Sequence, residues 1–317
     1  VAKYRNQLPQ LNETTFLTDG GLETTLIFHQ GLELPLFASF PLLKEEEGRQ
    51  ALRKYYESYL ELARARNLGF VLDTATWRAN PDWARELGYS LTELRDLNLH
   101  AVEFIAALRR QWESPGQAIV LNGVVGPRGD GYKAGRMSAE EAQDYHAFQI
   151  GVFAASDADM VSAITMNTIE EAIGIARASK AANMPCVISF TVEADGRLVT
   201  GQSLREAIEA TDAATGTGPA YYMINCAHPS HFEGALARGE DWVARIGGVR
   251  ANASTKSHAE LDEATELDIG DPIDLGHRYQ GLRRRYPSMR VIGGCCGTDH
   301  RHLQAICQIC LPLIVAE

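Results

Sequence analysis

The chain reads as short apolar runs rich in Val, Ile, Phe and Tyr that alternate with amphipathic stretches from end to end. This alternation narrows the fold more than any other feature. Continuous apolar runs of four to eight residues fit strands buried on both faces, the habit of parallel sheets covered by helices. Eight runs qualify: 16–18, 70–73, 118–122, 159–165, 186–190, 221–225, 248–252 and 290–292. Between them lie helical patterns at 44–67, 90–112, 138–154, 168–182, 203–214 and 271–286. Ser138 followed by Glu141 predicts a capping box at the start of one of them. The pattern predicts an α/β fold, a single (β/α)8 TIM barrel over residues 1–317. An open doubly wound sheet is the alternative. The barrel is preferred because Asp19, Asp73, Asn122, Thr165, Cys226, Asn252 and Cys295 all stand at or just past the ends of runs. A barrel gathers those ends around one mouth, whereas an open sheet spreads them out.

The chemistry concentrates on cysteine. Gly293-Gly294-Cys295-Cys296-Gly297-Thr298 follows the eighth run, and Cys226 closes the sixth. Three thiols at strand ends can bind zinc and leave its fourth position open. Zinc on three thiolates carries a net negative charge, which suits it less to making hydroxide than to holding a further thiolate that stays nucleophilic. Such a thiolate can take a methyl group from a sulfonium or quaternary ammonium, a displacement that needs alignment more than acid–base help. No catalytic side chain beyond the metal site is expected. Cys186 reads as core, and Cys307 with Cys310 as one face of a C-terminal helix. His228 and His231 read as helix-start residues rather than ligands.

Other segments point to a substrate. Asp19-Gly20-Gly21 can offer backbone N–H groups to a carboxylate and a side chain to an ammonium. The glycine-rich stretch 126–132 lacks the Lys-Ser/Thr ending of a P-loop and reads as a substrate loop. Trp77, Tyr132, Tyr221 and Tyr222 are candidates to face a cation. Net charge is −11 with no basic face, which disfavours nucleic acid as a partner. No apolar stretch approaches the ~20 residues of a membrane span, and the N-terminal residues lack a signal-peptide core. Six cysteines in 317 residues are too sparse for a disulfide scaffold, so they are expected as thiols in the cytoplasm.

Taken together, Asp19-Gly20-Gly21, Gly123 to Gly126-Pro127, Ser189-Phe190 before Asp195-Gly196, Asn225-Cys226 and the Gly-Gly-Cys-Cys-Gly-Thr motif resemble the homocysteine S-methyltransferase family. The resemblance runs in order along nearly the whole chain. It implies zinc on Cys226, Cys295 and Cys296, homocysteine as the thiol acceptor and methionine as product. The sequence does not name the small methyl donor, since S-methylmethionine, betaine and S-adenosylmethionine all present a methyl on a cationic centre; no cobalamin or folate module is expected. The substrate contacts expected from the resemblance and from the strand ends are Asp19, Gly20, Gly21, Asp73, Thr165, Asn225 and Asn252. Two departures stand out. Ile164 occupies the place of the family's strand-four glutamate, which grips the homocysteine ammonium. After strand seven, Ala251-Asn252-Ala253-Ser254 replaces Pro-Asn-Ser/Ala-Gly. A different thiol or selenol acceptor, a zinc-binding barrel without transfer activity, and a metal-independent lyase whose cysteines merely pack are the other readings.

Overall fold

The computed structural model describes residues 1–236 and 240–311; of the expected 1–317 domain, 237–239 and 312–317 lie outside the described residues. Eight parallel strands close into a barrel in chain order: β1 (Phe16–Leu17), β2 (Gly69–Asp73), β3 (Ile119–Val125), β4 (Met160–Met166), β5 (Cys186–Phe190), β6 (Tyr221–Asn225), β7 (Ile246–Ala251) and β8 (Val291–Gly294). The open sheet is thereby excluded. Long helices follow most strands, among them Glu46–Ala65, Leu91–Trp112, Ala139–Ala154, Ile169–Ala181, Leu204–Thr215, Pro272–Arg285 and His300–Cys310. No described helix is long and apolar enough to cross a membrane.

Every strand is buried on both faces, which explains its unbroken apolar character. Inward residues such as Phe16, Val71, Val120, Met160, Val187, Met223 and Val291 pack with one another inside the barrel. Their neighbours in sequence, such as Leu17, Leu72, Leu121 and Ile188, face the helical layer. The capping box is present: Ser138 Oγ accepts from Glu141 N at 3.2 Å, and Ser138 N donates to Glu141 Oε2 at 2.8 Å.

Strands β5 and β6 keep their expected bounds, while the others shift by one to three residues at an end, β3 and β7 with most consequence for the site. Strand β3 continues to Val125, so Asn122 lies in mid-strand rather than at its end. The extra residues Gly123, Val124 and Val125 pair with Val161, Ser162 and Ala163 of β4, an extension that an internal glycine hid. Strand β7 begins at Ile246 and ends at Ala251, before Asn252.

Close approach at the mouth demands glycine. A Cβ on Gly293 would run into Thr18 Oγ1. We expect Gly293→Ala to destabilise by about 1–3 kcal/mol through overpacking. Gly151 lies exposed in helix Ala139–Ala154 with open space around it, and Gly151→Ala should stabilise by about 0.5–1 kcal/mol. Urea unfolding of both variants checks the contrast; equal midpoints would contradict it.

Candidate functional site

The C-terminal strand ends open into a cavity of about 430 Å³. Cys226, Cys295 and Cys296 line it, and their sulfurs lie within 4.8 Å of one another. Cys226 follows β6, and the other two follow β8. Sequence reading expects three separate thiols; the structure joins Cys226 and Cys295 as a disulfide, with Cα atoms 5.3 Å apart. Cys296 Sγ stands 3.8 Å from Cys226 Sγ. The physical reason is convergence: sulfurs held this close either bond in a pair or share a cation. Burial pushes the Cys296 thiol up to about 11, so a neighbouring positive charge is what would hold it as thiolate at neutral pH.

The backbone is fastened around these sulfurs. Cys295 N donates to Ala251 O at 2.8 Å, and Ala253 N to Cys296 O at 3.2 Å. Thr298 Oγ1 donates to Cys295 O at 2.7 Å. Cys226 and the β-branched Thr165 both have positive φ, 53° and 66°, a conformation that costs free energy and persists only where surroundings enforce it. Asn225 enforces it: its Oδ1 accepts from Thr165 N at 2.9 Å and Ser189 Oγ at 2.6 Å, and its Nδ2 donates to Thr165 Oγ1 at 2.9 Å and approaches Cys295 Sγ at 3.8 Å. Asn252 Nδ2 donates to Cys226 O at 3.1 Å. Asn225 thus orients Thr165 and the cysteines from outside the cavity lining, whereas Asn252 lines the cavity, its Oδ1 without a partner among the described residues.

Asp19 and Asp73 meet at a residue that sequence reading missed. Arg250, on β7, forms buried ion pairs with both carboxylates and donates through Nε to Gly294 O at 3.2 Å. Asp19 also accepts from Tyr55 Oη at 3.0 Å, and Asp73 from Asn122 Nδ2 at 2.7 Å. Gly20 and Gly21 permit close packing: a Cβ on Gly21 would sit 2.7 Å from Cys295 O, and one on Gly20 2.8 Å from Thr298 O. The Gly21 N–H donates to Thr298 O at 3.0 Å. Glu23, two residues further, lines the cavity and accepts from Ser39 Oγ at 2.8 Å. Its place beside the Asp-Gly-Gly turn was the only signal for it.

Of the four candidate aromatics, Trp77 and Tyr132 line the cavity. Tyr132 Oη–H points at Cys226 Sγ, 3.4 Å away, and its ring lies 4.4 Å from that of His258. Asn167 Nδ2 holds the glycine-rich loop through Asp130 O, Gly131 O and Lys133 O at 3.0–3.1 Å. Tyr221 and Tyr222 do not line the cavity, because they begin β6 at the far end of the barrel. Tyr221 packs inside it, and Tyr222 Oη turns outward to Asp212 at 2.8 Å. His228 is turned to Ser230, His231 to Thr255 O, and neither joins the sulfur cluster. Burial pushes Cys186 and Cys307 up to about 12, as suits inert core thiols.

The homocysteine S-methyltransferase family model matches residues 16–310. Betaine–homocysteine S-methyltransferase 1 of Rattus norvegicus is 23% identical over 84% of this chain, which spans 65% of that protein's length. Selenocysteine Se-methyltransferase of Brassica oleracea var. italica is 23% identical over 92% of this chain and 87% of its own. Among solved structures, the homocysteine methyltransferase MmuM of Escherichia coli superposes with a TM-score of 0.74 in its oxidized form, at 21% identity over 94% of this chain and 97% of that one. Its metallated form gives 0.71 at 20% identity, over 95% and 98%.

Burial raises the Asp19 carboxyl to about 7, with Arg250 opposing and Asp73 reinforcing the rise. An acid raised on folding adds stability that is complete below its unfolded pKa and lost as pH rises through the folded one. Wild type should therefore lose stability relative to Asp19→Asn between about pH 4 and 7. Urea unfolding across that range tests it; a pH-independent difference between the two proteins would contradict the Asp19 assignment.

Proposed function

The chain belongs to the homocysteine S-methyltransferase family, and from that premise we propose that it moves a methyl group from a cationic sulfonium or ammonium donor to a thiol at the three-cysteine site, with zinc as metal and homocysteine as acceptor. What carries the reading is the convergence of three sulfurs on a cavity large enough for two small reactants. The donor set fits zinc. Two thiolates on a tetrahedral zinc with bonds of ~2.3 Å stand about 3.8 Å apart, the separation of Cys226 Sγ and Cys296 Sγ. Cys226, Cys295 and Cys296 would hold the ion in their reduced state, and bound zinc would keep the acceptor sulfur deprotonated near neutral pH.

The chain's own residues do the positioning. Asn225 and Asn252 fix the cysteines from behind. Tyr132 covers the sulfurs and limits water at the reacting end. Trp77 and Tyr132 offer ring faces to the donor's cationic centre. The methyl carbon passes in line to the acceptor sulfur, and the bonding pair leaves with the donor. Asp19 and Asp73 already share Arg250, and Ile164 supplies no charge where the family carries an acid. Glu23, beside the Asp-Gly-Gly turn, is one of the cavity carboxylates with no arginine ion pair among the described residues, and it takes the acceptor's ammonium. A second reading keeps this chemistry and changes the acceptor to a selenol or another thiol. The replaced acid at Ile164 favours it, as does the likeness to an enzyme named for selenocysteine.

Purified protein should carry about one zinc per chain. Cys295→Ser should lose metal and methyl transfer, whereas Cys307→Ser should keep both. Full zinc occupancy in Cys295→Ser would overturn the assignment. Glu23→Gln should raise KM for homocysteine about 10- to 100-fold, the worth of one charged hydrogen bond, and barely alter that for the des-amino thiol 4-mercaptobutyrate. Equal use of both thiols by wild type would point to an acceptor without an ammonium.

A further inference from the structure

Arg78 lines the same cavity, on the segment between β2 and helix Pro81–Glu86. Its Nε and Nη1 are buried and meet no acceptor among the described residues. The deep arginines elsewhere are paired: Arg109 with Asp159 at 2.7 Å, Arg250 with Asp19 and Asp73. Leaving buried guanidinium donors unmatched costs free energy, so the vacancy needs a reason. Desolvation lowers the Arg78 pKa, but an arginine starts so high that the charge remains.

The surroundings hold the group in place without satisfying it. Its central carbon lies 3.9 Å from the Trp83 ring centroid and 4.8 Å from that of Trp77. Stacking fixes the plane of a guanidinium and leaves its N–H edge to be used. Trp77 is itself anchored, donating from Nε1 to Ile164 O at 3.2 Å. That bond ties the Arg78 segment to the end of β4, where the family's acid is missing. The Gly21 N–H, another candidate to meet an anion, is already given to Thr298 O. Glu23 and Asp130 also line the cavity, and neither forms an ion pair with Arg78.

We propose that Arg78 is a carboxylate-binding residue, its N–H edge receiving the carboxylate of a reactant held in this cavity. Planar paired N–H groups match a carboxylate in a way no lysine or backbone amide does. With Glu23 in the same wall, a zwitterionic amino acid finds a partner for each of its charges. The inference rests on the cavity being the methyl-transfer site, and it specifies the reactant class: an amino-acid thiol or an onium donor that bears a carboxylate.

Equilibrium binding of single reactants to the purified full-length protein tests it without turnover, by calorimetry or by the fluorescence of the flanking tryptophans. One pair is homocysteine against 3-aminopropane-1-thiol, which lacks only the carboxylate. The other is S-methylmethionine against its decarboxylated sulfonium. Wild type should prefer the carboxylate-bearing member of at least one pair by about ten-fold or more. The responding pair tells acceptor from donor. Arg78→Met should erase that preference by weakening only the carboxylate-bearing ligand, and Arg78→Lys should restore part of it. No preference in wild type for either pair would overturn the proposal, whatever the variants do. So would a folded Arg78→Met that keeps the preference, because Arg78 would then serve only to stack. Arg78-dependent preference in a protein that transfers no methyl group would uphold the carboxylate site and refute the transferase reading.

Discussion

A single buried arginine closes this barrel where its sheet is thinnest. Strand β1 offers two rungs to β2 and two to β8, far less than the other strands share. Arg250 reaches across from β7 to Asp19 just past β1, Asp73 at the end of β2 and Gly294 O at the end of β8. Breaking such a cluster by removing one member costs more than forming it gains, because the other charges are left buried. The cluster also lies beneath the two glycine-rich turns that pack against each other, Asp19-Gly20-Gly21 and the double-cysteine loop. The cavity floor therefore depends on a charge balance as much as on apolar packing.

That balance shapes what the cavity can recognise. Two of the cavity carboxylates, Asp19 and Asp73, are held by Arg250, and Ile164 in the same lining carries no charge. Glu23 and Arg78 line the same cavity without an ion-pair partner among the described residues. The departure at β4 leaves the contacts that hold the cysteines unchanged, whereas the one after β7 falls on Ala251, Asn252 and Ala253, whose groups fasten Cys295, Cys226 and Cys296.

What the sequence disclosed follows from range. Strands β5 and β6 were legible to the residue, because their apolar runs are bounded by polar or breaking residues. The three cysteines were legible because two are adjacent and all stand where strands end. Strand β3 was read short, since Gly123 interrupts a run that its neighbour β4 in fact continues. Arg250 was invisible: an arginine inside an apolar run has no local signature, and its partners lie 177 and 231 residues away. Tyr221 and Tyr222 were two of four aromatics offered as candidates to face a cation, and their position at the start of β6 puts them at the opposite end of the barrel. Sequence reading gave Asn167 no role, yet it is the clasp of the loop that carries Tyr132.

The three sulfurs are unevenly placed along the chain. One follows β6; the other two stand 69 and 70 residues later, after the last strand. They are held by contacts to β7 and to the turn after β1, the two ends of the sheet's circuit. A chain emerging from the ribosome therefore carries one sulfur of three until β8 has been made. The three sulfurs converge only when β8 docks beside β1, so the cluster assembles at the same moment as the ring closes.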